Sequence, residues 1–444
     1  MRSIGNYAFS GCSGLSGITI PNSVASIGSY AFAYSALTGV TVPPNVTSVG
    51  TNIFIECGNL KSVTVLNGII GTNMFAYCIG LTTVLLPSGV ETIGSNAFYG
   101  CDNLVIYAEA AARPAGWSTN WNASRPVFWG VNDATFAQID GAQYVSDGDG
   151  AVLTRYVGNA SAFVIPDSVM IDGVSRNVTS FAAAAFANCD SLASFTTGNN
   201  ITSIAASSFV GCTNLTSITV TSSVSSVNGS ALSGIKNNLK SIVFKENSLV
   251  THIEQGTFAA SGSITSVIFE KNSRLTTIGQ WAFNNCDNLA GFAIPASVTG
   301  IANYAFESCD NFAHITIPSS VASIGNYAFR YSVRMTMYVE AAAKPDAWST
   351  SWNTNSRPVV WGCKLAEDIN GVYVESWTKT GESSLVNPSA PNGFREPYRA
   401  GYTFGGWALS AENAALNIAA IQGTQLGAQY SGIAIGTTLY AIWA

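Results

Sequence analysis

Charged residues are scarce in this sequence. Asp, Glu, Lys and Arg make up 10% of its 444 residues, against about 25% in a typical soluble protein. The net charge is −6 with no basic block, which excludes the electrostatic surface of a nucleic-acid-binding or anionic-membrane-binding protein. Only two histidines are present, although acid–base and metal chemistry depend on histidine and acidic residues. No apolar run approaches the roughly 18 residues of a membrane span. We therefore predict no enzyme activity, no cofactor, no metal site, no nucleic-acid partner and no membrane span.

What the chain does contain is a repeated unit of about 23 residues, and such periods are typical of solenoids and arrays. The unit reads I-G-x-x-A-F-x-x-C-x-x-L-x-x-I-x-I-P-x-x-V-x-x. Twelve units occur in two blocks at spacings of 21 to 26 residues. Their first positions are Ile4, Ile27, Val49, Ile70 and Ile93, then Phe181, Ile204, Val227, Ile253, Ile278, Ile301 and Ile324.

Each fixed position of the unit has a physical role. The I-x-I segment, as at Ile18 and Ile20, alternates with period two and predicts a short strand with one buried face. The following proline, as at Pro21, ends the strand because it cannot donate to a sheet hydrogen bond. The repeat phenylalanine, as at Phe32, points into the interior. One coil cannot bury these side chains alone, so the pattern predicts coils stacked about 4.8 Å apart in a solenoid.

Eight of the nine cysteines stand three residues after the repeat phenylalanine. The C-x-x-C spacing of a metal site does not occur. A disulfide between neighbouring coils is geometrically conceivable. However, Ser35, Ser261 and Ser332 replace cysteine singly, which a pairing requirement would resist. The spacing therefore favours buried thiols that act as small core residues.

Each block ends in nearly the same segment, residues 106–130 and 337–362. The pairs Glu109/Arg113 and Glu340/Lys344 stand at the i,i+4 spacing, which predicts a short helix. We interpret each segment as a last strand, a short helix and a tryptophan-rich lid that covers the end of the solenoid. The alternative is a set of sugar-stacking platforms. The tryptophans in question are Trp117, Trp121, Trp348 and Trp352.

Two further regions differ from the repeats. Residues 131–180 predict a hairpin with a turn at Asp147–Gly150 that leads into the second block. From about residue 363, strand-like segments and a helix-prone stretch at 413–420 predict a small α+β domain. We therefore expect three domains: residues 1–130, residues 131–362 with the hairpin and second block, and residues 363–444.

The repeat unit resembles the BspA-like leucine-rich repeat of the Treponema pallidum type, over most of residues 1–362. The tail is similar to the Listeria-Bacteroides repeat, also called the internalin B-repeat, in PYRAGYTFGGWA at 397–408 and LYAIWA at 439–444. The resemblance implies a leucine-rich-repeat solenoid of short parallel strands joined by convex turns or short helices. Two capped blocks would be followed by a β-grasp-like domain.

The resemblance also implies a function. Proteins with this repeat are associated with adhesion, so it implies a non-enzymatic secreted or bacterial cell-surface protein that binds a host matrix or cell-surface protein. Neither family contributes catalytic residues. The chain opens in mid-repeat and shows no signal peptide, sorting motif or anchor, so we expect it to be a fragment.

The residues that flank the buried positions of each strand should form a neutral outer face, because side chains alternate across a strand. We predict that this face binds the partner. Two alternatives remain: glycan binding by the lid tryptophans, and a purely structural role at the cell surface. The predicted binding residues are Thr19, Thr41, Thr64, Leu85, Thr196, Thr219, Val243, Ile268, Ala293, His314 and Thr316.

Overall fold

The computed structural model shows two compact units, Met1–Val157 with Val169–Arg176 and Gly158–Ser168 with Asn177–Ala444. In the described part of the chain every regular element is a β-strand. The short helices predicted in the lids are therefore absent from it. The described residues are 2–66, 68–132, 134–354, 356–368, 371–378, 385–386, 404–408 and 438–443.

The strands are short and follow one another at the spacing of the repeat. Those up to residue 157 are β1 (Ser3–Ile4), β2 (Ser26–Ile27), β3 (Gly39–Val42), β4 (Ser48–Val49), β5 (Ser62–Val65), β6 (Gly68–Ile70), β7 (Thr83–Leu86), β8 (Val90–Ile93), β9 (Val105–Ala108), β10 (Val127–Trp129), β11 (Phe136–Ile139), β12 (Ala142–Ser146) and β13 (Gly150–Tyr156). Those that follow are β14 (Ala162–Val164), β15 (Ser168–Ile171), β16 (Val174–Phe181), β17 (Ser194–Thr196), β18 (Ser203–Ile204), β19 (Ser217–Val220), β20 (Ser226–Val227), β21 (Ser241–Phe244), β22 (His252–Ile253), β23 (Ser266–Phe269), β24 (Thr277–Ile278), β25 (Gly291–Ala293), β26 (Gly300–Ile301), β27 (His314–Ile317), β28 (Ser323–Ile324), β29 (Thr336–Val339), β30 (Val359–Trp361), β31 (Cys363–Asp368), β32 (Gly371–Thr378), β33 (Leu385–Val386), β34 (Phe404–Ala408) and β35 (Thr438–Trp443).

In the first unit, each coil of the repeat contributes to two rows of parallel strands. The long row has the order β10-β9-β7-β5-β3, and the short row is divided into β1-β2-β4 and β6-β8. Equivalent repeat positions pair directly, as in Ile4 with Ile27 and Ile27 with Val49. The predicted leucine-rich-repeat solenoid is therefore confirmed, with its strands in the register that the repeat spacing requires.

The second unit repeats the arrangement. Its long row runs β14-β17-β19-β21-β23 and then β25-β27-β29-β30, where β33 adds an antiparallel strand. Its short row is divided into β18-β20 and β22-β24-β26-β28. The interruption in the short row lies between β20 and β22, although β21 and β23 remain paired on the long row.

The repeat phenylalanines form a stacked ladder through the interior of the first solenoid and, from Phe258 to Phe329, of the second. From Phe9 to Phe98, successive ring centroids lie 5.1, 5.2, 5.4 and 5.6 Å apart, and the ring planes are within 11° of parallel. Phe32 and Phe98 are fully buried. Burial of one large aromatic ring per coil supplies a major part of the hydrophobic driving force for stacking.

The convex side is built from turns with left-handed residues. In the coil that starts at Ile27, Tyr30 and Tyr34 have φ of 57° and 59°, and the same two positions recur as left-handed in most coils. The glycine that follows the first position of the repeat unit, as Gly71 follows Ile70, permits close stacking of coils. A Cβ added at Gly71 would lie 2.6 Å from the carbonyl oxygen of Gly50, closer than real contacts allow.

The cysteines form a second ladder that bonds one coil to the next. The thiol of Cys78 donates to the carbonyl of Phe54 over 3.1 Å, and that of Cys309 donates to the carbonyl of Phe283 over 3.0 Å. Ser332 makes the same bond to Phe306 over 2.6 Å, which explains why serine can replace cysteine singly. All nine cysteines lie among the described residues, none is in a disulfide, and eight are buried.

The two regions outside the repeats contain antiparallel sheets. Strands β12 and β13 form the predicted hairpin, and the carboxylate of Asp147 accepts a bond from the Gly150 amide over 3.0 Å at its turn. Strand β11 adds to the hairpin edge. These three strands belong to the first unit, whereas the domain boundaries expected from the sequence place them with the second block. Strands β31, β32, β35 and β34 form an antiparallel sheet. The helix predicted at 413–420 lies outside the described residues.

Candidate functional site

The outer face of the long row in the first unit begins with small exposed residues. Thr19, Thr41 and Thr64 are all exposed, and Thr41 pairs with Thr64 across the parallel strands β3 and β5. This part of the face agrees with the prediction from alternation. It is neutral, because no charged residue occupies these outward positions of β3 and β5.

Leu85 is not part of an open face, contrary to the prediction. It packs with Tyr107 and Phe128 against Phe136 and Val145 of the hairpin sheet. The Tyr107 hydroxyl is fully enclosed and bonds to Thr154 and, over 3.0 Å, to the Gln143 carboxamide oxygen. The hairpin therefore covers this end of the row.

In the second unit, four outward residues form one row across adjacent parallel strands. Thr196 pairs with Thr219, Thr219 with Val243, and Val243 with Ile268. Each is half-buried, because its neighbours in the row shield its sides. Ala293 of β25 is also half-buried. We call the four register-aligned residues from Thr196 to Ile268 the strand face.

The predicted face does not extend to His314 and Thr316. Strand β32 lies against β25 and β27, and Thr316 is only 2% exposed. His314, which was expected on the open face, is half-buried, and its imidazole fills the space that a side chain at Gly291 would occupy. Burial lowers the pKa of His314 to about 4. These residues are therefore excluded from an open binding surface.

The four lid tryptophans are buried, so they offer no face to a sugar ring. Trp117, Trp121 and Trp348 are each 2% exposed and Trp352 is 6% exposed. The indole nitrogen of Trp117 donates to the carbonyl of Val90 over 3.0 Å, and that of Trp348 makes the same bond to Val321. The sugar-stacking alternative is therefore wrong for these side chains.

Each lid continues the solenoid as one irregular coil. Trp117 forms an isolated parallel β-bridge with Ile93, the first position of the last repeat unit. The Trp121 ring contacts the last repeat phenylalanine, Phe98, edge-on with ring centroids 6.1 Å apart. In the second unit, Trp352 meets Phe329 at the same 6.1 Å. An edge-on indole ends a ladder of parallel rings, because it leaves no ring face for a further coil to stack on.

The charged pairs in the lids do not form the predicted i,i+4 contacts of a helix. The Glu109 carboxylate instead accepts a bond from the backbone amide of Ser88 over 2.7 Å. The Arg113 guanidinium donates to the carbonyl of Trp117. Glu340 and Lys344 make the equivalent bonds in the second lid, to Ser319 over 2.8 Å and to Trp348 over 2.8 Å. The glutamate thus fixes each lid to the preceding coil, and the basic residue closes a turn within the lid.

Among the described residues we find no cluster of side chains arranged for catalysis or for metal binding. They contain no group of three His, Cys, Asp or Glu side chains placed to hold a metal ion. Burial raises the pKa of the Cys101 thiol to about 11 and that of Cys286 to about 12, so these thiols are protonated at neutral pH. His252 is exposed and bonds to the neighbouring Thr251 hydroxyl over 2.7 Å.

The repeat array identifies the family. The chain belongs to the BspA type leucine-rich repeat region family, whose model matches residues 1–105, 171–274 and 251–339 in six copies. The match ends before residue 363, so the likeness of the tail to the Listeria-Bacteroides repeat stays a prediction. No protein of curated description matches the sequence.

Solved structures of bacterial leucine-rich-repeat proteins are similar to this chain at low identity. A leucine-rich repeat protein from Bacteroides ovatus is 21% identical, with 76% of this chain and 70% of that chain covered and a TM-score of 0.32. A leucine rich cell surface protein from Faecalibacterium prausnitzii is 22% identical, with 80% and 86% covered and a TM-score of 0.27. A leucine-rich repeat protein from Treponema pallidum is 24% identical, with 46% and 70% covered and a TM-score of 0.20.

Proposed function

We propose that the chain is a non-enzymatic binding protein that holds a protein partner on the strand face of the second unit. The observation that carries this proposal is the aligned row from Thr196 to Ile268, which combines hydroxyl groups with two β-branched apolar side chains. No charge stands in this row. Repeat solenoids commonly use such extended surfaces for binding.

The chemistry of the strand face favours a protein over a charged small molecule. The outward side chains of β21 and β23, Val243 and Ile268, provide apolar contact area, and Thr196 and Thr219 provide hydroxyl donors and acceptors beside them. A protein surface can match this mixture over a wide area. A charged ligand would be desolvated there without an opposite charge, which is unfavourable.

Family membership supports a more specific role. We infer adhesion to a host extracellular matrix or cell-surface protein, with the chain located outside the cell or on the bacterial surface. The Faecalibacterium relative is described as a cell surface protein. Among the described residues, no helix has the length and apolar character to cross a bilayer. A purely structural role at the cell surface is the competing function.

The experiment measures binding of the purified chain to immobilised fibronectin, laminin and collagen by biolayer interferometry. We expect one of these proteins to bind the wild type. Replacement Thr219→Arg should weaken that binding at least about tenfold, because a charge would then be desolvated at the centre of the contact. Binding to none of the three proteins, with glycans also unbound, would favour the structural role.

The matched control is Ser233→Arg, which adds the same charge to an exposed position outside the strand rows of the same unit. Its binding should stay within about twofold of the wild type, since rim or remote charges contribute little to affinity. Equal loss in both variants would show that the added charge acts non-specifically, and the strand face would then not be the binding surface.

A further inference from the structure

A pocket opens in the second unit where its short row of strands is interrupted. Strand β20 pairs only with β18, and β22 pairs only with β24. On the other row, β21 and β23 pair over four residues. The two coils therefore touch on one side and part on the other, and we call the opening the junction pocket.

A backbone hydrogen bond that is present at the two adjacent junctions is absent at the junction pocket. At the two adjacent junctions, the backbone amide that follows the first position of the repeat unit donates to the carbonyl of the first position in the preceding coil. Asn228 donates in this way to Ile204 over 3.0 Å, and Gly279 donates to Ile253 over 2.9 Å. Within the described residues, the equivalent bond from Glu254 to Val227 is not formed. A backbone donor and acceptor are thus left at the pocket wall.

The sequence gives a physical reason for this opening. The coil from Val227 to Ile253 is three residues longer than the usual 23. In addition, Glu254 follows Ile253 in the same way that Gly279 follows Ile278 in the next coil. At Gly279 a Cβ would lie only 2.6 Å from the carbonyl oxygen of Ile253, so this repeat position has little room for a side chain. Asn228 keeps its bond despite a side chain, and Gly71 in the described part of the first unit forms no such bond to Val49 although it is a glycine, so the side chain of Glu254 does not explain the opening by itself. Lys236 bridges the turn side of the junction by donating to the Ala259 carbonyl over 2.7 Å.

The junction pocket has the size of a small-molecule site and a polar wall. Its volume is about 580 Å³, within the range of roughly 300–1,000 Å³ that is usual for ligand sites. No lysine, arginine or aromatic side chain lines it. The polar wall comes from Ser203, Ser226, Asn228, Gly229, Glu254 and Gln255.

The wall chemistry selects the class of ligand. The side-chain oxygen Oδ1 of Asn228 accepts bonds from the Ser230 amide and hydroxyl, which leaves the side-chain nitrogen Nδ2 as a donor. The Glu254 carboxylate forms no ion pair within the described residues and would repel an anion. An apolar ligand would leave these groups without hydrogen bonds, at a cost in free energy. Hydroxyl groups, by contrast, both donate and accept.

We propose that the junction pocket binds a neutral saccharide, as a monosaccharide or disaccharide whose hydroxyls bond to these groups. This site is separate from the lid tryptophans and from the strand face, and it does not depend on the protein-binding function. The carboxylate of Glu254 would accept from sugar hydroxyls, as would the Val227 carbonyl, and the Glu254 amide would donate to a sugar oxygen.

The test is saturation-transfer-difference NMR on the full chain with the neutral sugars glucose, galactose, N-acetylglucosamine, maltose and lactose, and with the amine glucosamine as a charged comparison, followed by calorimetric titration. We expect at least one of the neutral sugars to bind the wild type. Ser226→Tyr should fill the pocket and weaken binding at least about tenfold. Ser26→Tyr is the matched control, because Ser26 is the same repeat position at a junction where strands pair on both sides, and it should bind normally.

Two further variants keep the test decisive. Gly229→Leu fills the same pocket from an open position, since a Cβ there would meet Gln255 and Glu254 only at an ordinary 3.5 Å, and it serves if Ser226→Tyr does not fold. Glu254→Gln should change neutral sugar affinity by less than about tenfold, because one acceptor oxygen remains. The proposal is overturned if no sugar binds, if both filled variants bind normally, or if only the amine glucosamine binds and loses its affinity in Glu254→Gln.

Discussion

The lid tryptophan Trp121 offers the sharpest test of how the first solenoid ends. Its side chain is 2% exposed and meets Phe98, Trp117 and Trp129 with ring centroids 6.1, 4.8 and 6.2 Å away. Replacement Trp121→Ala would remove the ring that ends the phenylalanine ladder and leave a cavity. Substitutions of this kind cost about 3–5 kcal/mol. For a unit of this size the melting temperature should fall by about 6–20 °C.

The assay follows thermal and urea unfolding by circular dichroism, and the second lid supplies an independent repeat of the experiment in Trp352→Ala. The control is Trp281→Ala, which removes an indole that is 39% exposed and, among the described rings, stacks only on Tyr304, and should change stability by about 1 kcal/mol. If Trp121→Ala has no larger effect than Trp281→Ala, the tryptophan lid does not close the core.

Three further predictions follow from single contacts. Cys78→Ala should destabilise the first unit by about 0.5–1.5 kcal/mol, because it removes the thiol bond to the Phe54 carbonyl and leaves the Cys57 amide as that oxygen's donor, whereas Cys78→Ser should lose less because serine makes this bond at Ser332; urea unfolding that ranks them in the opposite order would contradict the thiol ladder. The unfolded chain should bind a proton at His314 near pH 6.5 and the folded chain only near pH 4, so its contribution to stability is complete above pH 6.5. As the pH falls to 4 that contribution is lost, by up to about 3 kcal/mol, and His314→Asn should flatten this part of the stability profile; an unchanged profile would refute the buried neutral imidazole. Gly71→Ala should lower the melting temperature, since its Cβ would lie 2.6 Å from the Gly50 carbonyl, whereas Gly14→Ala, with nothing within 4 Å, should leave it unchanged.

The solenoid could be predicted from the sequence because its register depends on the repeat itself. Parallel coils place equal positions side by side, so Ile4 meets Ile27, and the spacing of the residues directly states the pairing. The free thiols were predictable for the same reason, since serine replaces cysteine singly along one ladder. In a repeat protein the spacing along the sequence determines which residues stack on one another, so the core residues can be predicted from the sequence.

The lid helix could not be predicted correctly from local spacing. Glu109 and Arg113 have the separation of a helical pair, but their side chains bind Ser88 and the Trp117 carbonyl. The partner Ser88 lies in the preceding coil, and an i,i+4 pattern contains no information about it. The position of the lid can be predicted, because the end of a solenoid needs a cover. The hydrogen bonds that hold the lid in place depend on the neighbouring coil and cannot be predicted from local spacing.

The candidate site was predictable only where nothing outside the repeat covers it. Thr41 and Thr64 are exposed as alternation requires, but Leu85 and Thr316 are covered by non-repeat strands. The large outward residues Leu85 and Tyr107 stand in a row that otherwise consists mainly of glycine, serine and threonine. This change in side-chain size is the sequence feature that indicates a covering sheet. The junction pocket likewise depends on a tertiary contact that fails to form, which the longer spacing after Val227 indicates only in part.

The most direct test of the central claim is a hydrogen–deuterium exchange footprint of the chain bound to the matrix protein that it captures. The account predicts slower exchange in β17, β19, β21 and β23, where the strand face lies, and no change in the lid segments around Trp121 and Trp352. The double variant Val243→Arg with Ile268→Arg should abolish both binding and footprint. Protection confined to the convex turns or to the lids, with the strand face unchanged, would contradict the proposed binding surface.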